Sequence, residues 1–249
     1  MKTVIITGGN RGIGLAITKQ LLFEGYRVIC FHRDKAQKRN VLSDGYEESY
    51  GDIKYTSHWL DFRHFVEVKL EVESVYAIIN CAGIAHAKPF EEITEEEWDE
   101  MMAVNVKGAF LGVKIFNDMI EDEGRIVNIS SVSGLQGMSG HAHYCASKFA
   151  LQGLTQVLAK ELKGRKITVN TVNPGPTETD MWEQLDKDYS KINHWDESMK
   201  QEDKYFSKLL IKRMGKPEDV ANTVSFLLKP ESDYITGISL KVCGGNLIG

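Results

Sequence analysis

The sequence predicts an α/β fold: one domain with a doubly wound parallel sheet of about seven strands and helices on both faces. Three observations carry that prediction. Short apolar, β-branched runs alternate with longer stretches whose apolar residues recur at helical spacing, the pattern of strand–helix–strand units. The strand runs are apolar throughout, as in Val4-Ile5-Ile6, which suits strands buried on both sides. A chain of 249 residues is long enough to bury one large core.

In order, residues 2–7 read as the first strand and 12–24 as a helix with Ile13, Ala16, Ile17 and Leu21 on one stripe. Residues 26–31, 53–59 and 75–80 read as the next three strands. A long helical pattern spans 95–119, and 125–130 forms a fifth strand. A helix at 143–162 and a sixth strand at 167–172 follow. Pro217 opens a helix over 217–228, where its missing N–H costs nothing. Residues 235–242 close the series. The stretch 181–212 breaks the rhythm: it is polar yet holds Trp182, Tyr189, Trp195, Tyr205 and Phe206. It reads as a substrate lid inserted over the sheet edge, with residues 1–249 forming a single domain. Its aromatic residues are equally readable as substrate contacts or as anchors of the lid itself.

Composition narrows the function. The formal net charge is −5, which points away from nucleic acid and anionic membranes as partners. No apolar run approaches the ~18 residues of a membrane span. The opening Met-Lys-Thr-Val-Ile-Ile-Thr-Gly-Gly reads as a buried strand, not a secretory signal. Cys30, Cys81, Cys145 and Cys243 are scattered, as for reduced thiols in a cytoplasmic protein. No cluster has metal-ligand spacing, so no metal is expected.

The first strand ends in Thr7-Gly8-Gly9-Asn10-Arg11-Gly12-Ile13-Gly14, and a helix follows. Glycines there permit a tight turn and close backbone approach to a pyrophosphate, which rests on the helix N-terminus. An ordinary strand-to-helix turn is the bland alternative. Further along stand Asn80-Cys81-Ala82-Gly83, Asn105, Ile129-Ser130-Ser131, Tyr144-Cys145-Ala146-Ser147-Lys148 and Asn173-Pro174-Gly175. Taken in order, these segments resemble the short-chain dehydrogenase/reductase family over almost the whole chain. The resemblance implies a Rossmann-type three-layer sandwich and a nicotinamide cofactor. It implies cofactor contacts from Gly8, Asn10, Arg11, Gly12, Ile13 and Gly14 in the turn, and from His32 and Arg33 after the second strand. Asp61 and Phe62, then Asn80, Ala82 and Gly83, would follow. Pro174, Gly175, Thr177 and Thr179, with Tyr144 and Lys148, would complete the set. Asp61 is also readable as a helix N-cap.

An acidic residue after the second strand suits the ribose of NAD, and basic residues suit the extra phosphate of NADP. Here position 32 is His, Arg33 follows, and Arg11 lies in the turn. These favour NADP(H) over NAD(H), although Asp34 is placed to reach the ribose.

Carbonyl reduction needs a positioned proton donor opposite the hydride. Tyr144 and Lys148 are four apart in an expected helix and share a face. A neighbouring ammonium is expected to lower the phenol's pKa. Ser131, at the end of the fifth strand, is placed to bond the substrate oxygen. Strand alternation turns Ser130 the other way. The resemblance implies that Asn105, Ser131, Tyr144 and Lys148 act together, Asn105 ordering a water that links Lys148 to solvent. Taken singly, each also has a structural reading, such as a solvated helix face or a strand-end cap. His141 and His143 are expected to line or flank the pocket mouth rather than act as bases.

Between 61 and 80 the chain is shorter than in most such proteins, leaving room for a helix of about two turns. Cys81 stands where the family usually has a second Asn. The general pattern is similar to 3-oxoacyl-carrier-protein reductases, but the run Asp118 to Glu123 would repel an acidic carrier. Lys163, Arg165 and Lys166 form only a partial basic patch. Sugars, polyols and steroid-like or other ketones fit equally, so a small-molecule carbonyl or alcohol is the expected substrate. A catalytically weak cofactor-sensing regulator is the reading from another class, opposed by the intact four-residue set. The resemblance also implies a homotetramer or homodimer that pairs the long helices. Phe110, Phe116, Phe149 and Leu158 are candidates for that surface or for the core.

Overall fold

The computed structural model describes residues 1–32, 70, 72–194, 199, 204–206 and 209–247, together with the backbone of 55–59. Among these, seven strands form one sheet: β1 (Thr3–Thr7), β2 (Arg27–His32), β3 (Tyr55–Trp59), β4 (Val75–Asn80), β5 (Ile120–Ile129), β6 (Thr168–Pro174) and β7 (Ser239–Val242). Their order is β3-β2-β1-β4-β5-β6-β7, and every pairing is parallel. The order reverses between β1 and β4. Loops leaving those two strands diverge to opposite faces, which opens a crevice at the carboxyl edge.

Both faces are covered. Val4 and Ile6 of β1 pack with Ile17, Leu21 and Leu22 of α1 (Gly12–Phe23) and with Val220, Val224 and Leu227 of α6 (Pro217–Leu228). Ile5, between them, packs on the other face with Val113 and Phe116 of α3 (Gly108–Phe116). Adjacent strand residues thus enter different cores, which is why the strands are apolar without alternation.

Several boundaries differ from the sequence reading. The helix expected over 95–119 is α2 (Glu95–Met102), a π-helical turn (Ala103–Lys107), α3 and a short 3-10 turn (Asn117–Met119). The fifth strand begins at Ile120, not 125. Its pairing with β4 shifts between Val75 and Ala77, and Glu123 takes φ +60°. That polar Glu-Asp-Glu-Gly stretch has no apolar pattern to mark it as strand. The last strand is only Ser239–Val242, because the chain before it turns through Gly237 at φ +72°. Residues 142–161 form α4 (Ala142–Glu161). Asp180–Ile192, in the stretch that broke the rhythm, is a helix, α5, capped by the Thr179 hydroxyl accepting from Trp182 N at 3.2 Å. The short helix expected after Asp61 lies outside the described residues. Among the described residues, no helix is long and apolar enough to cross a membrane.

Candidate active site

The turn after β1 is held by contacts only glycine allows. Gly8 has φ +70°, and a Cβ on Gly14 would lie 2.1 Å from the Gly8 carbonyl oxygen. The Thr18 hydroxyl, on the next helical turn, donates to Gly9 O at 3.0 Å and Gly14 O at 2.9 Å. Thr7 Oγ1 accepts from Cys81 N and Ala82 N, each at 3.1 Å, tying the loop after β4 to the end of β1. Arg11 precedes α1 without a side-chain cap, so the first-turn amides lack partners within the helix. Gly12, Ile13 and Gly14 line a cavity of about 1300 Å³. Uncapped amides over a glycine cradle suit the phosphates of a dinucleotide.

The same cavity continues past Ala82 and Gly83 to Ser131, Tyr144 and Lys148. Asn10, Arg11, His32, Asn80, Pro174, Gly175, Thr177 and Thr179 also line it. The Asn80 amide, however, donates to Asn128 Oδ1 at 2.8 Å inside the sheet layer. Arg33, Asp61 and Phe62 lie outside the described residues.

Tyr144 and Lys148 of α4 are 9% and 5% exposed. Lys148 Nζ lies 5.7 Å from the centre of the Tyr144 ring and donates to Ile129 O at 3.0 Å. Burial pushes Tyr144 up to about 12, against a hydrogen bond from Ser131 that pulls it down. The expected lowering by Lys148 is therefore not seen: burial penalises the phenolate more than the site's polar groups stabilise it. Burial also brings Lys148 down to about 8, with the Cys81 thiol acting the other way. Ser131 Oγ accepts from Ser133 N at 3.1 Å, which sets its position after β5.

Asn105 sits in the π-helical turn, a feature often found at functional sites. Its Nδ2 donates to Ile84 O and Ser147 Oγ, both at 3.0 Å, and its Oδ1 accepts from Ile84 N at 2.9 Å. The amide is thus engaged on both sides by protein groups. A Cβ on Gly83 would lie 3.3 Å from Asn105 Oδ1 and 3.5 Å from Lys148 Nζ, so the two side chains meet over Gly83. Gly83 leaves that approach open.

The sequence reading missed two parts of this arrangement and named the residues of a third without their mutual contacts. Thr18 and Thr7 lock the glycine turn, and nothing in their spacing announces it. Gln152 is a half-buried hub that donates to Ser130 Oγ and Asn173 Oδ1 and accepts from Thr171 and Ser239. The third is an aromatic wall over Tyr144. His141 meets the Tyr144 ring edge-on at 5.3 Å and stacks on Tyr189 of α5 at 5.1 Å. Trp182 lies 5.0 Å from Tyr205 and 6.4 Å from Tyr189, and all three line the cavity. These aromatic residues face the cavity and anchor one another.

A family model described as short chain dehydrogenase matches residues 2–190. The chain is 33% identical to the L-2,3-butanediol dehydrogenase of Corynebacterium glutamicum, covering 99% of this chain and 98% of that protein. It is 36% identical to a 3-oxoacyl-(acyl-carrier-protein) reductase of Aquifex aeolicus, covering 98% and 96%. Among solved structures, it is similar to a blue fluorescent protein from a metagenomic library in complex with NADPH, with a TM-score of 0.86, 30% identity and coverage of 99% and 98%.

Proposed function

The chain belongs to the short chain dehydrogenase family, and on that premise we propose that it is an NADP(H)-dependent oxidoreductase interconverting a small carbonyl and its secondary alcohol, with Tyr144 as general acid/base. One observation carries the reading: a single cavity has the glycine cradle at one end and Ser131, Tyr144 and Lys148 at the other. When bound, the cofactor supplies or accepts the hydride.

The protein's own work is placement and proton handling. Ser131 and Tyr144 present hydroxyls to the substrate oxygen. With its phenol pushed up to about 12, Tyr144 stays protonated at neutral pH and is ready to donate as a carbonyl is reduced. Lys148, brought down to about 8, exchanges protons near neutrality and can resupply it. Asn105 holds the loop at Ile84, so that Gly83 stays between it and the ammonium. The NADP(H) preference is supported by Arg11 at the cavity rim, by His32 in place of an acid at the end of β2, and by the likeness to an NADPH-bound structure. Helix α5 and the residues after it serve as the substrate lid.

A carrier-protein substrate is the second reading, prompted by the reductase relative. It is disfavoured because Arg165 pairs with Asp122 at 3.1 Å and Lys166 with Glu123 at 3.0 Å. The partial basic patch is thereby neutralised by the neighbouring acidic run.

The test is reductase turnover on simple ketones, ketoses and a β-ketoacyl thioester with NADPH or NADH. NADPH is expected to be preferred at least about tenfold in kcat/KM, since a guanidinium–phosphate bond contributes roughly that much. Equal use of NADH would refute the cofactor assignment. Tyr144→Phe should cut kcat by at least ~100-fold while NADPH still binds. Tight NADPH binding with no turnover on any substrate would favour the sensor reading.

A further inference from the structure

Gln152 stands at a junction that the mechanism does not use. It follows Lys148 by four residues on α4, so the two share a face. Lys148 lines the cavity, and Gln152 stands behind that wall. Polar groups from β6, β7 and the residue after β5 converge on its amide. Nε2 donates to Ser130 Oγ at 3.0 Å and to Asn173 Oδ1 at 2.6 Å. Oε1 accepts from the hydroxyls of Thr171 at 2.7 Å and Ser239 at 2.6 Å.

The partners dictate the side chain. Ser130 donates its own proton to Lys148 O at 3.1 Å. Asn173 Nδ2 donates to Thr171 Oγ1 at 3.2 Å and to Leu240 O at 3.4 Å. Both residues therefore turn lone pairs toward position 152, while Thr171 and Ser239 turn protons toward it. An amide has two N–H groups and an oxygen with two lone pairs, and so matches every partner. A carboxylate offers no donor, an ammonium no acceptor and leucine neither. Ser130, Thr171 and Asn173 are buried, so leaving them unmatched is costly.

What the amide joins is the site itself. Ser130 is the neighbour of Ser131, and its bond to Lys148 O holds the lysine's backbone. Gly134 makes room for that bond: a Cβ there would lie 2.7 Å from Ser130 Oγ and 2.6 Å from Lys148 O. Asn173 is the neighbour of Pro174 and Gly175, which line the same cavity.

We propose that Gln152 is a positioning residue: it sets the spacing between Ser131 and Lys148 on one side and the cofactor-facing loop at Pro174 and Gly175 on the other, and so keeps the proton path in line with the hydride. The proposal rests on the reading that Ser131, Tyr144 and Lys148 serve a bound nicotinamide. Gln152 itself touches neither substrate nor cofactor. Misplacing reacting groups by ~1 Å can cost ~100-fold in rate, so a much smaller shift is measurable.

The experiment uses Gln152→Leu, Gln152→Glu, Ser130→Ala and the double variant of Gln152→Leu with Ser130→Ala. NADPH affinity is read by fluorescence titration. The kcat is read with whichever ketone of the panel above wild type reduces fastest, well below each variant's melting temperature. Gln152→Leu should bind NADPH several-fold more weakly and lose at least about tenfold in kcat. Gln152→Glu keeps the bonds from Thr171 and Ser239 but offers no donor to Ser130 or Asn173, and should lose nearly as much. A residue that serves stability alone would lower the melting temperature and leave both values of the folded enzyme unchanged. Ser130→Ala cuts the link to Lys148, so the double variant should lose no more kcat than Gln152→Leu alone. Unchanged NADPH affinity or unchanged kcat in folded Gln152→Leu overturns the proposal, and so do losses that multiply in full in the double variant. If Gln152→Leu does not fold, Gln152→Glu takes its place in both comparisons. If wild type reduces no ketone, or if Tyr144→Phe keeps its rate, the underlying reading fails, and the NADPH affinities still decide the role of Gln152.

Discussion

Lys148 shows how burial reverses a simple expectation. Four-residue spacing on α4 places it beside Tyr144, and that much was legible. The direction of the phenol shift was not, because desolvation depends on everything packed around the pair. The same desolvation makes Lys148 a cost to stability. Its pKa falls from 10.5 unfolded to about 8 folded, so below pH 8 both states carry the proton and the folded state bears the burial penalty. Between about pH 8 and 10.5 the unfolded chain holds more protons, and stability rises with pH. Lys148→Met is therefore expected to stabilise the cofactor-free protein at pH 7 by on the order of 1 kcal/mol, after allowing for the lost bond to Ile129 O. The gap to wild type should close as pH rises from 8 to 10. Urea unfolding of both proteins across that range measures it, and a less stable variant at pH 7 would contradict the argument. Activity should be lost in the same variant, a separation of stability from function.

At the scale of elements, the turn from β1 into α1 was predicted from its glycines, but the clamp that holds it was not. Thr18 is an ordinary polar residue in a helical pattern. Only the folded turn brings Gly9 O and Gly14 O to its hydroxyl. Thr18→Val keeps the shape and removes both bonds. It should cost about 1–2 kcal/mol of stability and loosen NADPH binding several-fold, as read by thermal melts and fluorescence titration. Unchanged NADPH affinity would show that the turn holds itself. The π-helical turn at Ala103–Lys107 was hidden for a related reason. One extra residue barely disturbs the apolar spacing of a long helix, and the bonds that hold Asn105 there reach across to Ile84 and Ser147. The early start of β5 was hidden because Ile120, which pairs with Val75 of β4, is cut off from the apolar run by the polar residues 121–124 and a register shift.

For the whole molecule, the exposed apolar residues address assembly. Phe116 is fully buried and Leu158 packs against the core beneath α3 and α4, so neither offers free surface. Phe110 and Phe149 are 44% and 46% exposed on those helices. Large exposed aromatics on long helices suit a subunit interface. We propose that these helices pair between copies in a homotetramer or homodimer. Phe110→Glu combined with Phe149→Glu should lower the mass measured by light scattering by at least one association step while melting as one folded unit. An unchanged mass would move the interface elsewhere.

By itself the sequence determined the alternation of strands and helices, the glycine turn, and the spacing of Ser131, Tyr144 and Lys148. These are local in the chain: periodicity and short motifs report which face a residue takes and how tightly the backbone must turn. The tertiary structure alone decided what surrounds those residues. It joined the cradle and the tyrosine into one cavity, through strand order reversing between β1 and β4. It buried Tyr144 and Lys148 enough to move both pKa values, and it stacked His141 between Tyr144 and a residue of α5. Burial and long-range contact are sums over distant segments, so no local pattern carries them.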